Sequence, residues 1–401
     1  MNKSFLNRAS FAIILSFFAS LIVHSIVRPE SAVVLREGDF PAFYAASIIM
    51  KEGQAAHLYE KEWQNQIEQK YWTGGFLYFR YPPFWATLLT PLAYFDPLSA
   101  KWIFTFFMVL CLLSAFILAS TYAPVLKINW LATSALMITC SPMMSALLCG
   151  QNSTLNMLLY AVILYGLHRH SKIGFYLCGA AAGLMLYKPQ FGLIWGVWFL
   201  LSQQKKFISS FLTIGILLYL MGATTHGFFW PSVWLKQTLW AVRPIWDLDS
   251  HAMISFNGVA YALSGTLPAS AHLSREIILK TSYFLSMVLF LWIGFQFWKT
   301  RKIVDENKRH AQLFSLALLA GPASLLISAH TMYYEFGICL LPCAVFFNPN
   351  NRVHVRGLLI LMLLIDTSLI FRTQLIIQPA FFATLLCIGF ISFYNPINKN
   401  G

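Results

Sequence analysis

The sequence predicts an all-α polytopic membrane protein, and three observations carry that reading. Hydrophobic residues make up 58% of the 401 positions, and the mean hydropathy is +0.63. Charged residues amount to only 11%, against about a quarter in soluble domains. Apolar runs of roughly 15–22 residues recur along the chain, each long enough or nearly long enough to cross about 30 Å of hydrocarbon. The whole chain, 1–401, reads as one integral membrane domain.

Taken in order, the apolar spans fall near 11–27, 101–121, 130–147, 152–168, 173–187, 190–202, 206–226, 277–298, 311–327, 333–347, 356–371 and 378–394, about twelve in all. The first, Phe11 to Val27, follows Lys3 and Arg8 and could be a secretory signal peptide. It reads better as an uncleaved first helix, because no small-x-small cleavage site follows cleanly and the later helices need its orientation.

The net charge of +13 raises the question of nucleic acid, and its distribution answers it. With the N-terminus inside, the short inner segments hold Lys3, Arg8, Lys127, Arg169, Lys172, Lys205, Lys206, Lys299, Arg301, Lys302, Lys308, Arg309, Arg352, Arg356 and Lys399. Against these stand only Asp305 and Glu306 as acids. This is the positive-inside pattern. It predicts both termini in the cytoplasm, a cell (inner) membrane location, and no nucleic-acid partner. The cysteines lie in or beside apolar spans without a CxxC spacing and read as buried free thiols.

Two long outer segments interrupt the spans, 28–100 and 227–276. The first holds an amphipathic stretch from Pro41 to Met50, then a polar helix from Glu60 to Trp72. After a turn at Gly74 and Gly75 comes "FRYPPFWATLLTPLAYF". The Phe84–Phe95 piece is too short to span and is bracketed by prolines. It reads as a re-entrant or interfacial helix, tolerated where it is buried in protein or lines a cavity. The second segment is rich in Trp. Trp195, Trp198, Trp230, Trp234, Trp240 and Trp246 are expected in an interfacial aromatic belt.

On this topology Asp39, Arg80, Gln151, Asn152, Lys188, Asn257, His330, Tyr334, Glu335 and Arg372 all fall at outer span ends or in outer loops. A polar cavity opening outward is the economical explanation. Asp39 suits a helix N-cap, with Pro41 just inside the helix, and equally suits an acid that takes a proton. Lys188 precedes Pro189, which breaks the span. Its ammonium either snorkels to the interface or meets an anionic headgroup such as a lipid phosphate. Gln151 and Asn152 either cap and bond helices or offer free amides to a carbohydrate. His330, with Tyr333, Tyr334 and Glu335, could hold a phosphate oxygen. Asp366, inside its span, is a functional candidate by default, with structural pairing favoured over catalysis.

Several of these motifs, in this order, resemble glycosyltransferase family 87, polytopic enzymes of the GT-C type that include polyprenyl-phosphate-mannose-dependent mannosyltransferases. The likeness lies in "GDFPAFYAASIIMKEGQAAHLY", "YPPF" with "TPLAYF", "GQNSTLNMLL", "LYKPQFGLI" and "SAHTMYYEFGICLLP", and covers most of the chain from Gly38 to Pro342. Glu335 stands where the family usually has Asp, and of "SFNGVAYAL" only Asn257 matches well.

The resemblance implies a GT-C fold with short periplasmic helices in the first outer loop, and an active site facing the periplasm. It implies Asp39 as the general base, His330, Lys188 and Arg80 toward the donor phosphate, and Tyr44, Tyr81, Gln151, Asn152, Asn257, Tyr334, Glu335 and Arg372 toward the substrates. The expected chemistry is inverting transfer of a hexose, mannose first, from a polyprenyl-phosphate sugar to a hydroxyl of a glycolipid or glycan. No cofactor and no metal are expected, although Glu37, two residues before Asp39, keeps a metal pair in play. Two other classes fit the composition: a lipid or solute transporter, and a ligase or polymerase of undecaprenyl-pyrophosphate glycans.

Overall fold

The computed structural model describes residues 38–72, 76–127, 141–169, 171–238, 250–268, 270–348, 351, 353–354, 356–357, 360–361, 364–365 and 376–394. The first apolar run, the Gly74–Gly75 turn, most of the run near 130–147, Trp240, Trp246, Asp366 and Arg372 lie outside these residues.

The described elements are helical. The first outer segment contributes α1 (Phe40–Lys51), a 3-10 turn (Ala55–His57), α2 (Lys61–Tyr71), α3 (Pro83–Leu89) and a second 3-10 turn (Thr90–Tyr94). The bundle follows as α4 (Pro97–Ala119), α5 (Ser141–Leu148), α6 (Ser153–His168), α7 (Lys172–Leu184), α8 (Pro189–Leu201) and α9 (Lys205–His226). After a short helix over 230–238 come α10 (Phe256–Gly265), α11 (His272–Thr300), α12 (Glu306–Ile327), α13 (Gly337–Phe346) and α14 (Pro379–Tyr394).

Four of the described helices, α4, α9, α11 and α12, are long and apolar enough to cross a membrane. With shorter apolar helices such as α6, α8 and α14 beside them, they make this a membrane protein. The expected spans 101–121, 152–168, 173–187, 190–202, 206–226, 277–298 and 311–327 coincide with described helices, while most of 130–147 lies outside the described residues. The main difference is α11, which starts five residues before its apolar run, because His272 to Glu276 extend the same helix in polar sequence.

The centre of the bundle is α6 and α12. Helix α6 packs on α4, α7, α12 and α13, while α12 also meets α11 and α14. Helices α9 and α11 lie at the periphery and expose Leu212, Ile216, Phe284 and Leu291, as lipid-facing helices do. Glycine allows the closest approaches: a Cβ at Gly174 would sit 2.0 Å from the Gly166 carbonyl oxygen, and one at Gly179 would sit 2.2 Å from that of Phe207. Small residues at helix contacts are the usual solution where lipid offers no hydrophobic drive between helices.

Two expectations change. The Pro41–Met50 stretch is not amphipathic in place: every residue of α1 from Phe40 to Ile49 is buried, because α2, α3, α4 and the Thr90–Tyr94 turn enclose it. Trp195 and Trp198 are not belt residues either. Both are fully buried, Trp195 against Tyr160 and Phe199, and Trp198 donates its indole N–H to the Phe290 carbonyl at 3.1 Å. A helix hydrophobic all round is an interior helix, and hydropathy alone cannot say whether its aromatic residues face lipid or protein. The Phe84–Phe95 piece, expected as one re-entrant or interfacial helix, forms the short helix α3 and the Thr90–Tyr94 turn, with Phe84 and Trp85 buried.

Candidate active site

Asp39 stands at the mouth of a cavity of about 300 Å³. Two glycines set it there. Gly38 has φ +106° and lies so close to Cys149 that a Cβ would fall 2.0 Å from its carbonyl oxygen, while Gly150, at φ +62°, leaves no room for a Cβ beside Phe40. Only glycine adopts such conformations at low cost, so the start of α1 locks into the turn between α5 and α6. Asp39 occupies the N-cap position of α1, yet its side chain makes no cap hydrogen bond; only its backbone oxygen accepts, from the Phe43 N–H at 3.2 Å. The carboxylate forms no ion pair among the described residues. Among the described residues the Tyr81 hydroxyl donates to it, 3.4 Å from Oδ2. The structure therefore separates the two readings of Asp39: the backbone starts a helix, and the carboxylate is left for the cavity.

Tyr81 and Arg80 enter from the segment before α3. The Arg80 carbonyl accepts from the Trp234 indole at 3.0 Å and the Tyr81 carbonyl from the Tyr59 hydroxyl at 2.9 Å. The Tyr81 hydroxyl also lies 3.5 Å from Asn152 Oδ1. Burial, and next the Asp39 charge, push the Tyr81 phenol well above its ordinary range, so it remains a donor toward Asp39. The ring of Tyr81 runs parallel to Tyr187, which in turn stacks on Trp85 at 4.7 Å.

The opposite wall is ionic. Lys188, at the break between α7 and α8, pairs with Glu335, and the same carboxylate accepts from Ser153 Oγ at 3.0 Å and Asn156 Nδ2 at 3.0 Å. Lys188 and Glu335 are both buried. A buried charge pair is tolerable when further hydrogen bonds satisfy it, and Glu335 has three donors. Arg80 also lines the cavity and forms no ion pair among the described residues.

His330 lines the same wall. Its loop is held by the Ile254 N–H, which donates to the Thr331 carbonyl at 2.8 Å. Burial, then the charges of Arg80 and Lys188, keep the imidazole well below its usual pKa, so it is neutral at pH 7 and offers a neutral N–H. The linkage sign follows. The unfolded chain takes up a proton at this site below about pH 6.5 and the folded chain does not, so stability falls as pH drops below that value. Thermal unfolding of wild type and His330→Gln between pH 7 and pH 4.5 checks this: the wild type is expected to lose more of its melting temperature on acidification than the variant.

Asp39, Arg80, Tyr81, Lys188, His330, Tyr334 and Glu335 thus converge on one cavity. Asn152 stands behind Tyr81, fully buried. Besides Asn152, three expected residues do not line the cavity. Tyr44 is buried against Tyr71 and Trp72 and donates to the Phe95 carbonyl at 2.8 Å; Asp39, Ala42 and Phe43 form the cavity face of α1, and one further residue turns the helix away by about 100°. Gln151 is buried outside the lining. Asn257 accepts from Ser282 at 2.7 Å and ties α10 to α11. Arg372 lies outside the described residues.

Conversely, Ser153 and Asn156, the partners of Glu335, and the lining residues Tyr187, Gln190, Trp234 and Thr238 were not singled out as site residues from the sequence. The i, i+3 spacing of Ser153 and Asn156 on one apolar helix was the available signal. Among the described residues no group of three His, Cys, Asp or Glu could hold a metal. Behind Trp85 and Tyr187 runs an apolar groove of about 440 Å³, lined also by Phe84, Leu88, Ile103, Phe107, Leu159 and Leu218. Leu88, Ile103 and Phe107 are exposed, so the groove opens on the apolar outer surface.

Comparison with known proteins decides the class. A family model for glycosyltransferase family 87 matches residues 79–329, more than half of the chain. The chain belongs to glycosyltransferase family 87. It is therefore a membrane glycosyltransferase, with a sugar donor and an acceptor as its substrates. The matched stretch of this family 87 chain contains Arg80, Tyr81 and Lys188; Asp39, His330 and Glu335 lie beyond its ends. No curated protein and no solved structure matched the chain.

Proposed function

We propose that this family 87 enzyme transfers a hexose, mannose in the first instance, from a polyprenyl-phosphate sugar to a hydroxyl of an envelope glycolipid or glycan, at the periplasmic face of the inner membrane. One observation carries the reading. The cavity that holds a carboxylate without an ion pair among the described residues, and a cationic wall, shares Tyr187 with an apolar groove open to the outer surface. A donor with an anionic phosphate between a sugar and an isoprenoid tail has that same division of chemistry.

In this mechanism Asp39 accepts the proton of the acceptor hydroxyl. The acceptor oxygen forms its bond to the anomeric carbon as the bond from that carbon to the phosphate oxygen breaks, and polyprenyl phosphate leaves with the electron pair. Single displacement inverts the anomeric centre, so a β-linked donor yields an α-linked product. A phosphate is already a stabilised leaving group, so one carboxylate is enough. Preorganised donors favour the charge that develops on it: Arg80 as a cation with no ion pair among the described residues, His330 as a neutral donor, and Lys188 as a cation already shared with Glu335. Tyr81 orients Asp39.

The test is purified protein in nanodiscs with β-linked undecaprenyl-phosphate-mannose and membranes of the producing cells. Transfer of mannose with an α linkage, read by NMR of the product, and unchanged by EDTA, is the expected result. Movement of the intact donor across the membrane with no new glycoside would favour a transporter instead. Activity lost in EDTA and restored by Mg²⁺ or Mn²⁺ would show that a metal takes part.

A further inference from the structure

Among the described residues the segment that carries Arg80 and Tyr81 has no strand partner, and Phe79 is fully buried. Buried backbone N–H groups need acceptors. Two side chains of α2 supply them: Gln64 Oε1 accepts from the Phe79 N–H at 2.8 Å, and Glu68 Oε2 from the Leu77 N–H at 3.0 Å. The spacings match. Residues two apart in extended chain are about 6.6 Å apart, and residues four apart on a helix rise about 6 Å. One face of α2 therefore does for this segment what a neighbouring strand would do in a sheet. Gln64 is itself held, donating its amide to the Leu58 carbonyl.

We infer that Gln64 and Glu68 are positioning residues for the transfer reaction: through the Leu77 and Phe79 amides they hold Tyr81 against Asp39 and aim Arg80 into the cavity. Neither touches the cavity. Tyr81 lies two residues beyond Phe79 and four beyond Leu77, and the path ends at the 3.4 Å contact between the Tyr81 hydroxyl and Asp39. Glu68 is the more telling of the two. It is 3% exposed, has no ion-pair partner among the described residues, and its Oε1 is buried without a partner. Burial pushes its carboxyl up to about 8, against a smaller opposing effect from the Leu77 N–H. The acid is thus held neutral at pH 7, and glutamine is its natural replacement.

The role rests on the transferase reading only for its activity readout, so a second readout is needed that is independent of any substrate. Hydrogen–deuterium exchange of the full-length protein in nanodiscs supplies it, with transfer from undecaprenyl-phosphate-mannose measured alongside. Glu68→Leu keeps the bulk and removes the acceptor. It is expected to speed exchange at Leu77 and to lower kcat by about 10²-fold, the usual cost of a displacement near 1 Å at a reacting centre, with KM little changed. Glu68→Gln is expected to keep wild-type exchange and transfer. If Glu68→Leu does not fold, Gln64→Met carries the same expectation at Phe79.

Wild-type exchange and transfer in Glu68→Leu would overturn the inference. So would a loss in Glu68→Gln equal to that in Glu68→Leu, since the carboxylate would then act as a charge. If no protein, wild type included, transfers mannose, the donor reading fails, while exchange at Leu77 still decides whether the tie exists.

Discussion

Asp39→Asn is expected to fold like the wild type and to lose transfer by about 10²–10⁴-fold, the usual contribution of a general base. The folding half of that expectation comes from the local geometry. The side chain makes no cap hydrogen bond and no ion pair among the described residues, and an amide of the same shape still accepts from Tyr81. Asparagine caps a helix as well as aspartate does, so the cap is tested with Asp39→Ala, which would cost about 0.5–2 kcal/mol of stability if the side chain were a true cap. The two explanations of Asp39 therefore predict different rows of data. Melting temperature and detergent-resistant yield report the cap, and product formation reports the base. Wild-type transfer in Asp39→Asn would remove the base assignment from this residue.

The Lys188–Glu335 pair should give the largest effect on stability. Glu335→Leu leaves a buried ammonium without its partner and strips the acceptor from Ser153 and Asn156. Breaking one side of a buried pair costs about 3–5 kcal/mol, so Glu335→Leu and Lys188→Met should each lower the unfolding temperature strongly. The double variant Lys188→Met with Glu335→Leu should recover much of the loss, because an apolar pair of similar volume removes the desolvation cost along with the attraction. Thermal unfolding of the four proteins in one detergent reads the coupling directly. Additive losses would mean that the two side chains do not depend on each other. If the double variant folds well but transfers poorly, the Lys188 charge has a use beyond structure.

Much of this protein was legible in its sequence because hydrophobic runs and loop charges are local signals. Runs such as 97–119 and 205–226 need only lipid-like composition to declare themselves. Asp39, Arg80, Lys188, His330 and Glu335 could be gathered by one argument, that polar residues at the same ends of different spans must meet. The same argument brought Gln151 and Asn257, as the resemblance brought Tyr44, to the cavity, whose lining they do not reach. It places a residue at one end of the bundle without saying which way the side chain turns, and one position along a helix is about 100° of rotation. Trp195 and Trp198 failed for a related reason, since an aromatic residue near a span end faces lipid or protein according to which helices pack beside it.

By itself the sequence determined the membrane class, the order of the helices, the likeness to family 87 and the set of polar residues at one end of the chain's spans. Its hydropathy and motifs are properties of contiguous stretches. Only the tertiary structure decided which polar groups are spent on the fold and which remain for chemistry. Glu335 is taken by Lys188, Ser153 and Asn156, Asn257 by Ser282, and Glu68 by a backbone amide nine residues on. Among the described residues the Asp39 carboxylate has no such claim on it beyond Tyr81. Hydrogen-bond satisfaction is settled between residues far apart in the chain, at distances of about 3 Å, and no local pattern of residue types records it.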